Sequence, residues 1–371
     1  MRATFQLVSL FDLVISSVSP SPSPGHDLEF YKEIRYTWSL LEGPTSYTAK
    51  GKCPVTEYTW DFFFNYLTEH GVKNFVLGGY NVQQSKVHPV YYPHWDKTAF
   101  KALKERVKAR GGRILADLGI YDDEPFNFDK TTFLESVTKF IKDFPVDGFR
   151  LGVNPAGSAR AQSLKKILEA FRSFEGYYLR EIAALASLAF SGKTRRDILK
   201  LSVTMRVMFT NNNWQVVKDD GLGNIADTHF VVIWPWSKDD IPVFNTNNFA
   251  EGIIKNVISA GVRPNTIVLV VSDGHLVTLT AKVSSTGWTT GYSSVIFDDK
   301  GDPKGDGSVE VDPKDPAIRA YFFSQPRAIE KIGLAKKRGL HGIALQQSVG
   351  WSTDLHPWDP RSLLYALAPN F

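Results

Sequence analysis

The feature that most constrains this chain is a device it uses four times: a segment of helical period ends in glycine, and a run of β-branched or apolar residues follows within a few positions. The junctions are His70-Gly71, Arg110-Gly111-Gly112, Ala260-Gly261-Val262-Arg263-Pro264 and Arg338-Gly339. Glycine tolerates the left-handed backbone that closes a helix, so each junction turns the chain back at once into a strand. Helices that return this quickly to strands lay those strands parallel. The spacing predicts strands near Ile34-Trp38, Asn74-Leu77, Arg113-Leu118, Gly148-Val153, Leu201-Phe209, His229-Ile233, Thr266-Val271 and Gly342-Gln346. Helices are expected at Glu57-His70, Phe100-Arg110, Phe133-Asp143, Ala161-Phe174, Asn248-Ser259 and Pro326-Arg338, with a closing helix near Arg361-Leu367. Eight such units read as an α/β fold, the (β/α)8 or TIM barrel.

A length of 371 residues fits one such barrel with modest insertions. Residues 26–371 are therefore taken as a single domain, with an insertion at about 284–315 between strands 7 and 8. The insertion carries an acidic, glycine-rich tip from Asp298 to Gly307, which lacks the glycine and glutamate spacing of a calcium-binding EF-hand and reads as a solvated turn. The 43 basic and 39 acidic residues are dispersed without a basic run, which argues against nucleic acid as a partner. Cys53 is the one cysteine, so no internal disulfide can form, and no Cys/His spacing suits a metal. Cys53 reads as a small apolar residue rather than a reactive thiol.

Residues 1–25 combine an apolar stretch, Phe5 to Val18, with the Pro/Ser linker Ser19 to Gly25. That order suits a secretory signal peptide and hence a secreted or surface-associated protein. Asp12 within the stretch and the absence of any Asn-x-Ser/Thr site fit the alternative, a cytoplasmic protein whose N-terminal element docks on the barrel. No further stretch is long and apolar enough to predict a membrane span.

The strand-four segment Val146-Asp147-Gly148-Phe149-Arg150-Leu151-Gly152-Val153-Asn154 resembles the Asp-Gly-x-Asp-x-Asp-x-Glu signature of glycoside hydrolase family 18, the chitinase-like enzymes. Asp147, Gly148 and Phe149 match it. Arg150 and Gly152 stand at the two later aspartates, and Asn154 stands at the glutamate. Ile114 to Gly119 is similar to the family's strand-three motif, with Asp117 where a serine is usual. The segments Asn265-Val270 and Ala328-Ile343 resemble its strand seven and the helix leading into strand eight, and Ser362-Leu363-Leu364 its closing segment. The likeness spans about residues 57 to 367.

The resemblance implies a barrel whose hydrolytic chemistry is lost. In the family, a glutamate protonates the leaving oxygen while an aspartate orients the substrate's acetamido group. Asn154 has no proton to give, and Gly152 has no carboxylate. The degenerate positions Asp147, Arg150, Gly152 and Asn154 are thus assigned no catalytic role, and the fold calls for no cofactor. By register, the family's strand-eight tryptophan falls on Gln346, and its strand-six Met-x-Tyr-Asp falls within Ile233-Trp236. The expectation is an inactive chitinase-like protein that takes a chito-oligosaccharide, another glycan or a protein partner at the barrel mouth. Tyr80, Asp117, Tyr121, Asn154, Trp234, Trp236, Gln346 and Trp351 are the candidate ligand-binding residues, against the reading that such aromatics fill the core. The alternative is an active N-acetylglucosaminide hydrolase with a relocated acid among Asp122, Asp123 and Glu124, which otherwise read as a solvated loop.

Strand alternation places Arg150, Gly152 and Asn154 on the inner face, and Phe149, Leu151 and Val153 against the helices. An inward arginine is costly unless paired, so an ion pair between Arg150 and Asp117 is expected, with core stabilisation as its main role.

Overall fold

The computed structural model describes residues 27–34, 60–89, 97–120, 127–153, 162–163, 165–173, 202–207, 213–219, 221–224, 226–235, 237–277, 288–297, 299–346 and 354–371. Its main sheet is built from β1 (Glu29–Ile34), β2 (Asn74–Gln83), β3 (Lys86–Pro89), β4 (Arg113–Ile120), β5 (Gly148–Val153), β6 (Ser202–Val207), β7 (Thr228–Val232), β8 (Ile267–Ser272) and β13 (Gly342–Gln346). Strand β1 pairs in parallel with both β2 and β13, so the sheet closes on itself as an eight-stranded parallel barrel. Strand β3 is the ninth member, returning antiparallel on β2 as a hairpin above the barrel. The outer layer holds α1 (Trp60–Glu69), α2 (Lys97–Ala109), α3 (Lys130–Asp143), α4 (165–173), α5 (Asn213–Asp219), α6 (Asn247–Ser259) and α8 (Gln325–Arg338), closed by α9 (Leu363–Leu367).

The expected βα order is present, with one shift of consequence. The first strand is described over Glu29–Ile34, which begins five residues ahead of the expected start at Ile34, and residues 35–38 of that expectation lie outside the described residues. The helix-stop glycines behave as their backbone requires: Gly71, Gly111, Gly261 and Gly339 all have positive φ. Gly112 is constrained differently, since an added Cβ would fall 1.9 Å from the carbonyl oxygen of Lys73, just ahead of β2.

Phe149 on β5 shows how the outward faces pack. Its ring stacks on Phe171 of α4 at 4.7 Å and lies 5.8 Å from Phe140 of α3. Phe75 of β2 meets Phe64 of α1 in the same way, edge to face at 5.4 Å. Phe64, Phe75, Phe149 and Phe171 belong to one continuous buried core between sheet and helices, with the partly buried Phe140 packed against it, and its burial is the main favourable term holding the layers together.

The connection from β8 to β13 is more structured than a solvated loop. It carries a second, four-stranded antiparallel sheet in the order β10 (Trp288–Gly291), β9 (Gly274–Val277), β12 (Arg319–Phe322), β11 (Ser308–Glu310), with α7 (Tyr292–Phe297) between β10 and β11. Asn245 ties this sheet to the barrel by donating its side-chain amide to the carbonyls of Gly307 and Phe322, at 3.2 and 2.8 Å. The buried Lys331 of α8 donates in turn to the Asn245 carbonyl and the Asn247 side chain, at 2.8 and 2.9 Å. The aspartates of the tip turn inward on their own backbone: Asp302 accepts from the Lys304 amide and Asp306 from the Ser308 amide. No helix among the described residues is long and apolar enough to cross a membrane.

Candidate functional site

The inner face of the barrel is set by strand parity. Asp117 of β4, Arg150 of β5 and Thr204 of β6 stand side by side in register, and the next step toward the C-terminal ends brings Gly119, Gly152 and Arg206 together. The anticipated ion pair is present. Arg150 Nε donates to Asp117 Oδ1 at 2.9 Å while Nη2 lies 2.8 Å from Oδ2, so the guanidinium meets that carboxylate with two nitrogens.

Sequence reasoning missed the third member. Glu33 of β1, which lies beside β2, accepts from Arg150 Nη1 at 2.7 Å with its second oxygen 2.7 Å from Nη2. The side chains of Arg150 and Glu33 are wholly buried, and that of Asp117 is 12% exposed. Phe230 of β7 closes the cluster, its ring centre 5.2 Å from the guanidinium carbon. Burial works against the charge on Arg150, but Asp117 and Glu33 outweigh it and hold its pKa above the ordinary arginine value. Starting the first strand at Ile34 hid Glu33. The signal was the alternation Glu29, Tyr31, Glu33 against Phe30, Lys32, Ile34, which places Glu33 on the face of Tyr31, whose ring also meets Phe230.

Asp147, the best-matched residue of the signature, sits away from this cluster. It lies just before β5, at the N-terminal end of the barrel, where Oδ2 accepts the Ile114 amide at 2.7 Å and Lys104 of α2 pairs with Oδ1. Its role there is to fix the start of β5 against β4, on the rim that carries stability rather than chemistry.

Tyr80 is corrected by a bulge. Between Leu77 and Tyr80 strand β2 holds one more residue than β4, with Gly79 at a positive φ of 116°. The extra residue reverses the alternation. Tyr80 therefore packs outward, edge-on to Phe140 of α3 at 4.9 Å and 6% exposed, where it offers no open face to a ligand. Trp234, just beyond β7, is likewise drawn into the core beside Phe244, with 9% of its surface exposed. Gln346 ends β13 in register with Ser272, on the inner parity of Ala344, and is buried. Among the candidates within the described residues, Asp117 faces the interior and is the one that is not buried. Tyr121, Asn154, Trp236 and Trp351 lie outside the described residues, as do Asp122, Asp123, Glu124 and Cys53. No group of side chains suited to a metal ion occurs among the described residues.

The closed parallel barrel, with its second sheet between β8 and β13, matches solved structures along nearly its whole length. A family 18 N-acetylglucosaminidase from Paenibacillus barengoltzii superposes with a TM-score of 0.60 at 11% identity, covering 93% of this chain and 100% of its own. The chain has the fold of the family 18 chitinases. A chitinase from Chromobacterium violaceum matches this chitinase-like barrel with a TM-score of 0.58 at 12% identity, over 93% of this chain and 99% of that one. A class V chitinase from Nicotiana tobaccum, solved in complex with NAG4, matches with a TM-score of 0.53 at 11% identity over 93% and 99%. No protein-family model and no curated protein matches the sequence. Identities this low carry the fold and leave the chemistry to the residues themselves.

Proposed function

We propose that this chain is a non-catalytic chitinase-like protein that binds a glycan at the mouth of its barrel. The observation that carries this reading is the state of Arg150. It stands where the resemblance places a carboxylate of the hydrolytic signature, and both ends of its guanidinium are bound by Asp117 and Glu33. A buried cation held in that way can neither orient an acetamido group as a carboxylate does nor exchange a proton at working pH. Gly152 and Asn154 extend the same loss to the next two positions. The glycan part of the reading is supported by the solvent-touched carboxylate of Asp117 on the inner face and by the sugar complex of the tobacco protein that shares the fold.

The test has two halves. Purified protein incubated with chromogenic glycosides of chitobiose and chitotriose is expected to release no chromophore above the buffer blank. Titration with chito-oligosaccharides is expected to change tryptophan fluorescence in a saturable way. Turnover that disappears when Asp122, Asp123 and Glu124 are replaced by their amides would establish the hydrolase reading instead. A flat titration with every oligosaccharide would remove the glycan.

A further inference from the structure

The outer helix α1 carries aromatic residues on two sides. Phe63, Phe64 and Leu67 are buried against the barrel, while Phe62, Tyr66 and His70 follow one another at four-residue spacing along a second side. Phe62 is 51% exposed, and Tyr365 of α9 is 47% exposed. Trp358, ahead of α9, joins the two elements: Phe62 and Tyr66 meet its ring edge-on at 5.3 and 5.5 Å, and the Tyr66 ring stacks on that of the exposed His70 at 3.9 Å. Burial and the neighbouring Tyr365 hydroxyl both raise the pKa of Tyr66, which puts Tyr365 on the same face. A surface helix turns polar groups to water on such a side, and a contiguous, partly exposed aromatic face marks a place where another element packs.

Residues 1–26 lie outside the described residues, and the chain enters the described fold beside this face. Asp27 stands at the foot of β1, where Phe30 stacks on Phe371 at 4.8 Å. The carbonyl oxygens of Ala368 and Phe371 in turn lie 3.7 and 3.9 Å from the Cβ position of Gly71, just beyond α1. We propose that residues 5–18 form an amphipathic helix that docks on the aromatic face of Phe62, Tyr66, Trp358 and Tyr365. At helical period Leu7, Phe11, Val14 and Val18 fall in one row, flanked by Val8 and Ile15, while Gln6, Ser9, Asp12, Ser16 and Ser17 gather on the other side. A leader recognised by overall hydrophobicity needs no such segregation. Pro20 stops the helix. Its length of about 21 Å exceeds the roughly 12 Å from Phe62 to His70 along α1, and residues 19–26 reach about 25 Å when extended. So short a tether presents the segment to the face at an effective concentration of about 1 mM, which favours it over a second copy of the chain or a separate partner.

Hydrogen exchange of the full chain, followed by mass spectrometry, tests the docking. The amides of residues 7–18 should exchange about tenfold or more slowly than those of an unstructured chain. Phe11→Ser, on the apolar row, should remove most of that protection, as should Tyr365→Ser on the receiving face. Leu13→Ser, on the polar side of the same segment, should leave it within about twofold of the unaltered chain. Unprotected amides in the unaltered chain would overturn the inference, as would equal effects of Phe11→Ser and Leu13→Ser. Protection that survives both Tyr365→Ser and Phe62→Ser would place the segment elsewhere and overturn the site. Protection that grows with protein concentration, with a doubled mass in light scattering, would give the face to a second copy instead. Recovery of a protein that begins near His26 would mark residues 1–25 as a cleaved leader and equally overturn the docking.

Discussion

Replacing Arg150 by methionine tests the barrel floor most directly. The substitution keeps much of the side-chain volume but strands Glu33 and Asp117, whose oxygens now lie 2.7 to 2.9 Å from the guanidinium. Each pair is worth about 4 kcal/mol of attraction at an effective dielectric of about 20, most of which offsets the cost of removing the ions from water. What remains after one partner is deleted is that cost without its compensation, about 3–5 kcal/mol. Urea unfolding followed by fluorescence should show that loss at about pH 7, with the slope of the transition unchanged. Acid should restore part of it. Protonating the stranded carboxylates removes the charge the interior cannot solvate, so the deficit should shrink as pH falls from about 8 to about 5. Arg150→Lys should lose less but not nothing, because an ammonium cannot present paired nitrogens to two carboxylates. A loss below about 0.5 kcal/mol, or one independent of pH, would refute the view that the cluster is a mutually compensated unit.

Phe149→Ala should cost about 3–5 kcal/mol in the same assay, since it removes a fully buried ring stacked on Phe171 and close to Phe140; a cost under about 1 kcal/mol would contradict the packing. Asp147→Asn should cost about 1–2 kcal/mol through the bond to the Ile114 amide and the Lys104 pair, and should leave oligosaccharide titrations unchanged. An altered titration would place Asp147 at the mouth. Burial raises the pKa of Glu29, but hydrogen bonds from His341 and Tyr31, with the charge of Arg113, outweigh it and lower the value to about 2. Its contribution to stability is therefore complete above its unfolded value of about 4.5 and lost as pH falls toward 2, and solvent screening at this partly exposed site holds it to about 1 kcal/mol. Glu29→Gln should flatten the acid limb of the stability curve across that window, and an unchanged limb would refute the assignment.

The barrel was legible because its determinants are local and repeated. A glycine after a helix, followed by a β-branched run, means the same thing at Gly71 as at Gly339. The pairing of Asp117 with Arg150 was legible for a related reason, since two inward charges on adjacent strands have few other ways to be compensated. Glu33 was not, because its partner lies 117 positions away in sequence and is brought to it only across the curved sheet, with β2 and β4 between them. Tyr80 was misplaced because one extra residue in β2 reverses the alternation, and the glycines that permit a bulge read equally well as a turn. Trp234 misled because its inner-face parity suits a ligand platform, while the contact with Phe244 that claims its surface is tertiary.

Strand β1 has a consequence for how this protein comes to be folded. Its backbone partners are β2, reached after about 40 residues, and β13, where Glu29 aligns with Gly342 at the other end of the sheet. During synthesis the ring cannot close until β13 has emerged, and until then one side of β1 and the outer side of β8 present unpaired amides and carbonyls. Contacts this remote in sequence slow folding, and open strands of this kind recruit other chains. The nascent protein thus passes through a long interval with two adhesive seams exposed. The Arg150 cluster, with Glu33 on β1 and its partners on β4 and β5, lies on the early side of the sheet and is joined through β2 without β13, so it can hold β1 in place during that interval.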